Sequence, residues 1–380
     1  MNRNAAIILF AGLVVTAWFI HDRGRQAAPP ASAESSAPVS TRLVRKPRLP
    51  APRMTVTAAP AEPQADDSRP TNLLARLLKD GDALTLRREQ VEPYLQASHR
   101  SAESLLAAFR VTNDPALLRE ALEQHPNDPQ VNFAACFALK NEMSPGERRQ
   151  RLEAFKQSAP DNALANYLSA QDHFQSGQSD QAVQELVAAV SNPRFRDYSS
   201  DFVQNIEEAY RAAGYSEGEA KAAAAYALPL PQLAELRRLG QSLGELAILY
   251  RQAGDEASAQ AALQMGVALG RQVAEPSGSN YLIHDLVGLG IERQILERMD
   301  PGSPYDTVGR TVQDRLGELA QRREEIRELQ GAVDPDGRWD SLAGVLQSLS
   351  EQDLISFFDR IKVSGELEAL RWARTRLGGR

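Results

Sequence analysis

The chain repeats its own pattern at a distance of 34 residues, and this limits its fold more than any other feature. Pro126 in EQHPNDPQVNF and Pro160 in QSAPDNALANY are 34 positions apart, as are the pairs Asn132-Phe133 and Asn166-Tyr167. A unit of that length holds two helices and a turn, too little to bury its own apolar face, so successive units must stack. The local signals agree. Asp114-Pro115 and Asp128-Pro129 each place a capping side chain before a proline at the first helical position. There the carboxylate accepts from an unpaired N–H, and proline has none to lose. Ser144 and Glu147 have the spacing of a capping box, and Ser350 and Ser364-Gly365-Glu366 mark two later starts. Residues 163–190 read as helix, turn at Gly177 and helix, with Ala182, Leu186 and Ala189 spaced to face one partner. The stretch LAILYRQAGDEASAQAALQMGVA repeats that pattern around Gly254, and no convincing strand alternation occurs from Thr71 onward.

These residues resemble the tetratricopeptide-repeat family. Leu246, Ala247, Tyr250, Gly254, Ala259 and Leu263 match packing positions of the family pattern, and Ala121, Leu122 and Pro126 match the end of an earlier repeat. The clearest hairpins fall at about 95–126, 127–160, 161–193 and 240–270. The early aromatic is displaced by one residue to Phe133 and Tyr167, and 46 residues separate Arg194 from Gly240, so the array is interrupted or one helix is lengthened. The resemblance implies an all-α fold: an antiparallel helix-hairpin array, or α-solenoid, over 71–275, with a C-terminal helical cap in 276–380. It also implies a concave surface that binds an extended peptide. Carried over by position, the groove residues are Gln130, Phe133, Phe137, Lys140 and Asn141 in one repeat and Tyr167, Gln171 and Gln175 in the next. Phe133 and Tyr167 equally suit core packing, because of their displaced register. Lys140 and Asn141 equally suit an ordinary surface.

The N-terminus differs. Residues 5–20, AAIILFAGLVVTAWFI, are an uncharged apolar run of 16, spanning roughly 24 Å as a helix, against about 30 Å for a hydrocarbon core. A membrane anchor within residues 1–26 is expected rather than a cleaved signal, because the small-residue motif Ala31-Ser32-Ala33 lies well beyond the run. No cysteine follows it to carry a lipid. Arginines flank both ends, so orientation rests on the short lead and long tail, which place the bulk of the chain outside the cytoplasm. Residues 27–70 hold nine of the 22 prolines among Ala and Ser, the composition of a disordered tether. Its cluster Arg42, Arg45, Lys46, Arg48 and Arg53 suits a solvated linker or contact with anionic headgroups. From 71 onward, 34 basic residues face 45 acidic ones, a net charge of −11.

That charge excludes a nucleic-acid binder. The single cysteine, Cys136, excludes an internal disulfide, and its small-residue setting predicts an inert buried thiol. No nucleophile elbow, phosphate loop or paired-histidine metal motif is present, so no catalytic residue, metal or cofactor is expected. The nearest approach to one is His284-Asp285 with Glu292, read as structural. Glu207-Glu208 and Arg322-Arg323-Glu324-Glu325 read as solvated helix faces. In 308–330, Val308, Val312, Leu316, Leu319, Ile326 and Leu329 keep near-heptad spacing, suited to intramolecular packing. Phe357, Phe358 and Trp372 are expected to close the end of the array. The expected function is a membrane-tethered scaffold binding a partner protein or peptide. The alternatives are a helical enzyme assembled from distant residues and a structural spacer.

Overall fold

A computed structural model describes residues 85–138, 143–192, 194–228, 230–275, 280–333 and 350–377. The expected anchor at 5–20 and tether at 27–70 lie outside the described residues, as do Lys140 and Asn141. Within them every regular element is helical, no strand occurs, and no helix is long and apolar enough to cross a membrane.

After α1 (Arg88–Ala97), the helices pair through short turns: α2 (Ala102–Thr112) with α3 (Pro115–Gln124), α4 (Pro129–Ala138) with α5 (Pro145–Ser158), and α6 (Ala163–Gln175) with α7 (Ser179–Ser191). The cap signals form as expected. Asp114 Oδ1 accepts from the Ala116 amide at 2.9 Å, and Asp128 Oδ1 from those of Gln130 and Val131 at 2.9 Å. Ser144 and Glu147 close their box, the Ser144 amide donating to Glu147 Oε2 at 2.7 Å. Gly177 turns between α6 and α7 at φ +71°, which glycine adopts without steric cost. Ala182, Leu186 and Ala189 are fully buried on α7. Neighbouring hairpins stack, since α3 packs on α4, α5 on α6, and α2 on α4. These helix hairpins are compatible with a helical repeat fold.

The array then breaks. The hairpin of α8 (Ser199–Ala212) and α9 (Glu217–Tyr226) does not extend the row; α8 folds back onto α1 and α2. The place beside α6 is taken instead by α10 (Pro231–Gln252), whose partner α11 (Glu256–Ala274) reaches α7. This insertion accounts for the 46-residue spacing, and α10 is also lengthened to 22 residues. Next comes α12 (Leu282–Leu296), packed on both α10 and α11. It is followed by α13 (Val312–Val333), α14 (Glu351–Ser364) and α15 (Glu366–Leu377). Val312, Leu319, Ile326 and Leu329 are buried where α13 meets α12 and α15. Val308 is not part of that stripe: it precedes the helix and is 81% exposed. One continuous core runs from Leu86 to Ala373, including Phe357 and Phe358, with Trp372 partly buried against it.

The C-terminal hairpin is fastened to the inserted one by charge. Lys221 Nζ on α9 bonds Asp359 of α14 at 2.7 Å and Glu207 of α8 at 3.1 Å, and Lys362 of α14 also pairs with Glu207. Glu207 is therefore no solvated face: it is 3% exposed between two ammonium groups. Lys221→Met removes one of them and leaves the buried carboxylate half compensated. Amide exchange within 351–364 is expected to accelerate about tenfold by mass spectrometry, corresponding to about 1.4 kcal/mol of local opening.

Candidate functional site

Two of the residues expected to line a peptide groove, Phe133 and Tyr167, pack against a segment of the same chain. Residues 194–198, Arg-Phe-Arg-Asp-Tyr, link α7 to α8 and cross the N-terminus of α6. Asn162, the cap of α6, recognises them as backbone. Its Nδ2 donates to the Arg196 carbonyl at 2.7 Å and its Oδ1 accepts from the Arg196 amide at 3.0 Å. The Ala163 amide donates to the Arg194 carbonyl at 2.8 Å, completing a parallel bridge between Asn162 and Arg194. Such pairing of a side-chain amide with both groups of one residue holds an extended chain irrespective of its side chains.

The aromatic residues complete the seat. The Phe195 ring lies 6.4 Å from Tyr167, and Tyr198 lies 5.8, 6.3 and 6.5 Å from Phe133, Phe155 and Phe202. Tyr198 has φ +59°, a left-handed conformation unfavourable for a bulky residue, and this ring cluster holds it there. Arg196 covers its outer face at 5.2 Å. Phe133 and Tyr167 are 2% and 0% exposed, so the displaced aromatics are core and do not line an open groove. Gln171 is buried beside Tyr167, Gln130 and Phe137 are half-buried, and Gln175 is exposed with its amide donating to Glu235 at 3.3 Å. Phe137 packs edge-on against Phe133 at 5.4 Å. The six described groove candidates are thus divided between core and rim.

Between the aromatics, Asp197 turns inward. Its Oδ2 accepts from Gln232 Nε2 at 2.9 Å and from His284 Nε2 at 2.5 Å, and its Oδ1 accepts from the Ser199 amide at 3.1 Å. His284 Nδ1 lies 3.3 Å from the Tyr281 carbonyl, so each ring nitrogen faces an oxygen acceptor. Burial opposes both charges. The His284 charge and the donors around the carboxylate nevertheless hold Asp197 down to about 2, and Asp197 raises the histidine above its ordinary value. The pair ties the segment to α10 and α12. His284, Asp285 and Glu292 do not form a common site: Asp285 meets Arg322 at 3.4 Å, and Glu292 is gripped by Arg315 at 2.9 and 3.0 Å. Burial pushes the Cys136 thiol up to about 12, and the residue is 1% exposed. Among the described residues, no three His, Cys, Asp or Glu side chains converge as a metal site.

Asn162, Phe195, Asp197 and Tyr198 were not anticipated as a unit. One signal was available: Asn162 stands 34 residues after Asp128, in the same cap position, and only the amide adds a donor able to hold a carbonyl. Comparison with known protein families, curated proteins and solved structures gives no match.

Proposed function

We propose that this chain is an interaction scaffold of the tetratricopeptide-repeat kind, tethered to a membrane by residues 5–20 and held off it by residues 27–70. It docks a helix of a partner protein on the outer flank of α7. The observation that supports the docking flank is a pair of exposed valines continuing from a half-buried one. Val183, Val187 and Val190 recur at i, i+4 and i+7, with Val187 51% and Val190 41% exposed. By helical rotation they lie opposite Glu185, which reaches Lys156 of α5 at 2.7 Å. In a regular array the following hairpin covers this flank; here that hairpin has been carried away to α1 and α2. At the end of α7, α11 reaches it through Gln272 Nε2, which donates to the Asn192 carbonyl at 3.0 Å. A stripe at helical spacing fits an amphipathic helix better than an extended peptide.

The aromatic face serves folding in this reading, because its occupant is covalently attached. The soluble region lies outside the cytoplasm, and a C-terminal reporter active only in the cytoplasm tests that placement. The docking flank is tested with a photo-crosslinking residue at Val187 in the full-length chain in its native membrane, with Gln157 as control. A discrete adduct is expected at Val187 alone, reduced at least tenfold by the nearby Val190→Asp substitution. Both valines are exposed, so Val190→Asp is expected to leave the unfolding midpoint unchanged. Equal labelling at the two positions, or labelling indifferent to Val190→Asp, overturns the reading.

A further inference from the structure

Where α6 meets α10 and the inserted segment, three buried polar atoms have no hydrogen-bond partner: Tyr167 Oη, Gln171 Oε1 and Gln232 Oε1. Their residues are 0%, 3% and 1% exposed. Cross-links on either side place them together. Tyr167 and Gln171 are successive turns of one face of α6, which packs along α10. At the next turn, Gln175 bonds Glu235 of α10 at 3.3 Å, and Gln232 lies less than a turn before Glu235. At the other end, the Tyr167 ring lies tilted against Phe195, two residues before Asp197, the acceptor for the Gln232 amide at 2.9 Å. These contacts bracket the three residues along the meeting of α6 and α10.

Leaving a phenol and two amide carbonyls unpaired in such a place is costly enough that buried polar groups nearly always find protein or water. Gln232 cannot repair this by turning its amide, because its Nε2 is needed at Asp197. Burial raises the Tyr167 phenol above its ordinary value, so it remains a neutral O–H donor. The set thus offers one O–H donor, whose oxygen can also accept, and two amide-oxygen acceptors. A water molecule accepts from the first and donates to the other two, making the three bonds usual for an internal water.

We propose that an internal water occupies this junction, accepting from Tyr167 Oη and donating to Gln171 Oε1 and Gln232 Oε1. It joins α6 to α10 across the point where the inserted hairpin interrupts the array. It thereby replaces the direct packing that consecutive repeats would have made.

Two measurements on the full-length chain test this. Tyr167→Phe and Gln171→Met each remove one ligand of the water without adding volume to the core. With the water present, each lowers the midpoint of thermal unfolding by about 2–4 °C. The double variant then loses less than the two shifts added together, because the first substitution already loosens the water. If the junction is dry, each substitution removes an unsatisfied polar atom from the core, and the midpoint stays the same or rises. A rise or no change in both variants overturns the proposal, as does additivity in the double variant. The second measurement is a high-resolution electron-density map. A single peak about 2.6–3.2 Å from all three atoms is expected. An empty site, or density larger than one water, overturns the proposal.

Discussion

Asp197→Ala is expected to lower the stability of the folded region by about 3–5 kcal/mol, because it takes the carboxylate partner away from the buried His284 ring. The same change removes the acceptor of Gln232 and the cap contact to the Ser199 amide, freeing the segment that holds the inserted hairpin in place. Urea denaturation of the full chain reads the loss directly. The pair also sets a pH signature. Asp197 is depressed in the folded state, so its contribution is present above about 4 and disappears as pH falls toward 2. His284 is raised, so its contribution is complete below about 6.5 and disappears as pH rises through the folded value. Their joint contribution is therefore greatest between about pH 4 and 6.5. The alkaline limb is the diagnostic one, since burial also shifts a second carboxyl, Asp285, upward, so more than one group shapes the acid side. The wild type should lose stability from pH 6 to 9, and Asp197→Ala should flatten that slope. An unchanged slope would exclude a charged His284 from the folded state.

Gly288→Ala is expected to cost about 3 kcal/mol or more, while Gly290→Ala, two residues away in the same helix, stabilises by about 0.5–1 kcal/mol. A Cβ at Gly288 falls on the Ala274 amide and the Gly270 carbonyl, both backbone atoms of α11 that no rotamer change can move. From the other side, a Cβ at Gly270 meets the Glu292 amide nitrogen at 2.7 Å. The two helices therefore touch backbone to backbone, closer than the usual 8–10 Å between axes allows with side chains interposed. Around Gly290 nothing lies within 4 Å, so alanine there only removes the conformational freedom glycine has in the unfolded chain. Thermal denaturation of both variants distinguishes the cases by sign. A loss at Gly290 equal to that at Gly288 would mean that helix propensity, and not close packing, governs this helix.

The turns and helix ends were readable because each depends on a few adjacent residues. The proline-aspartate starts, the Ser144–Glu147 box and the glycine turns all satisfy backbone groups within four positions, and all form as the residues require. The aromatics Phe133 and Tyr167 were readable as helix-facing residues, but their partners were not. Phe195 and Tyr198 come from a linker with no periodicity, and their place among the helices follows from where α8 packs, 87 or more residues from α1 and α2 in sequence. Glu207 looked like a solvated charge because its neighbours in sequence are polar. It is buried by Lys362, 155 residues away. Gly288 showed no signal distinct from Gly290, since a close approach is a property of the second helix as much as the first.

The amino-acid sequence by itself determined that this region is helical, where several helices begin or turn, and that one pattern recurs at a distance of 34 residues. Those properties follow from local hydrogen bonding and from the period of apolar residues, which act over one or two turns. The tertiary structure decided what fills the aromatic face, which charges are buried, and which valines are left bare. Each of these depends on the route of the interrupting hairpin. That route is settled by burying Asp197 against His284 and Tyr198 against Phe133, contacts between residues that no local pattern connects.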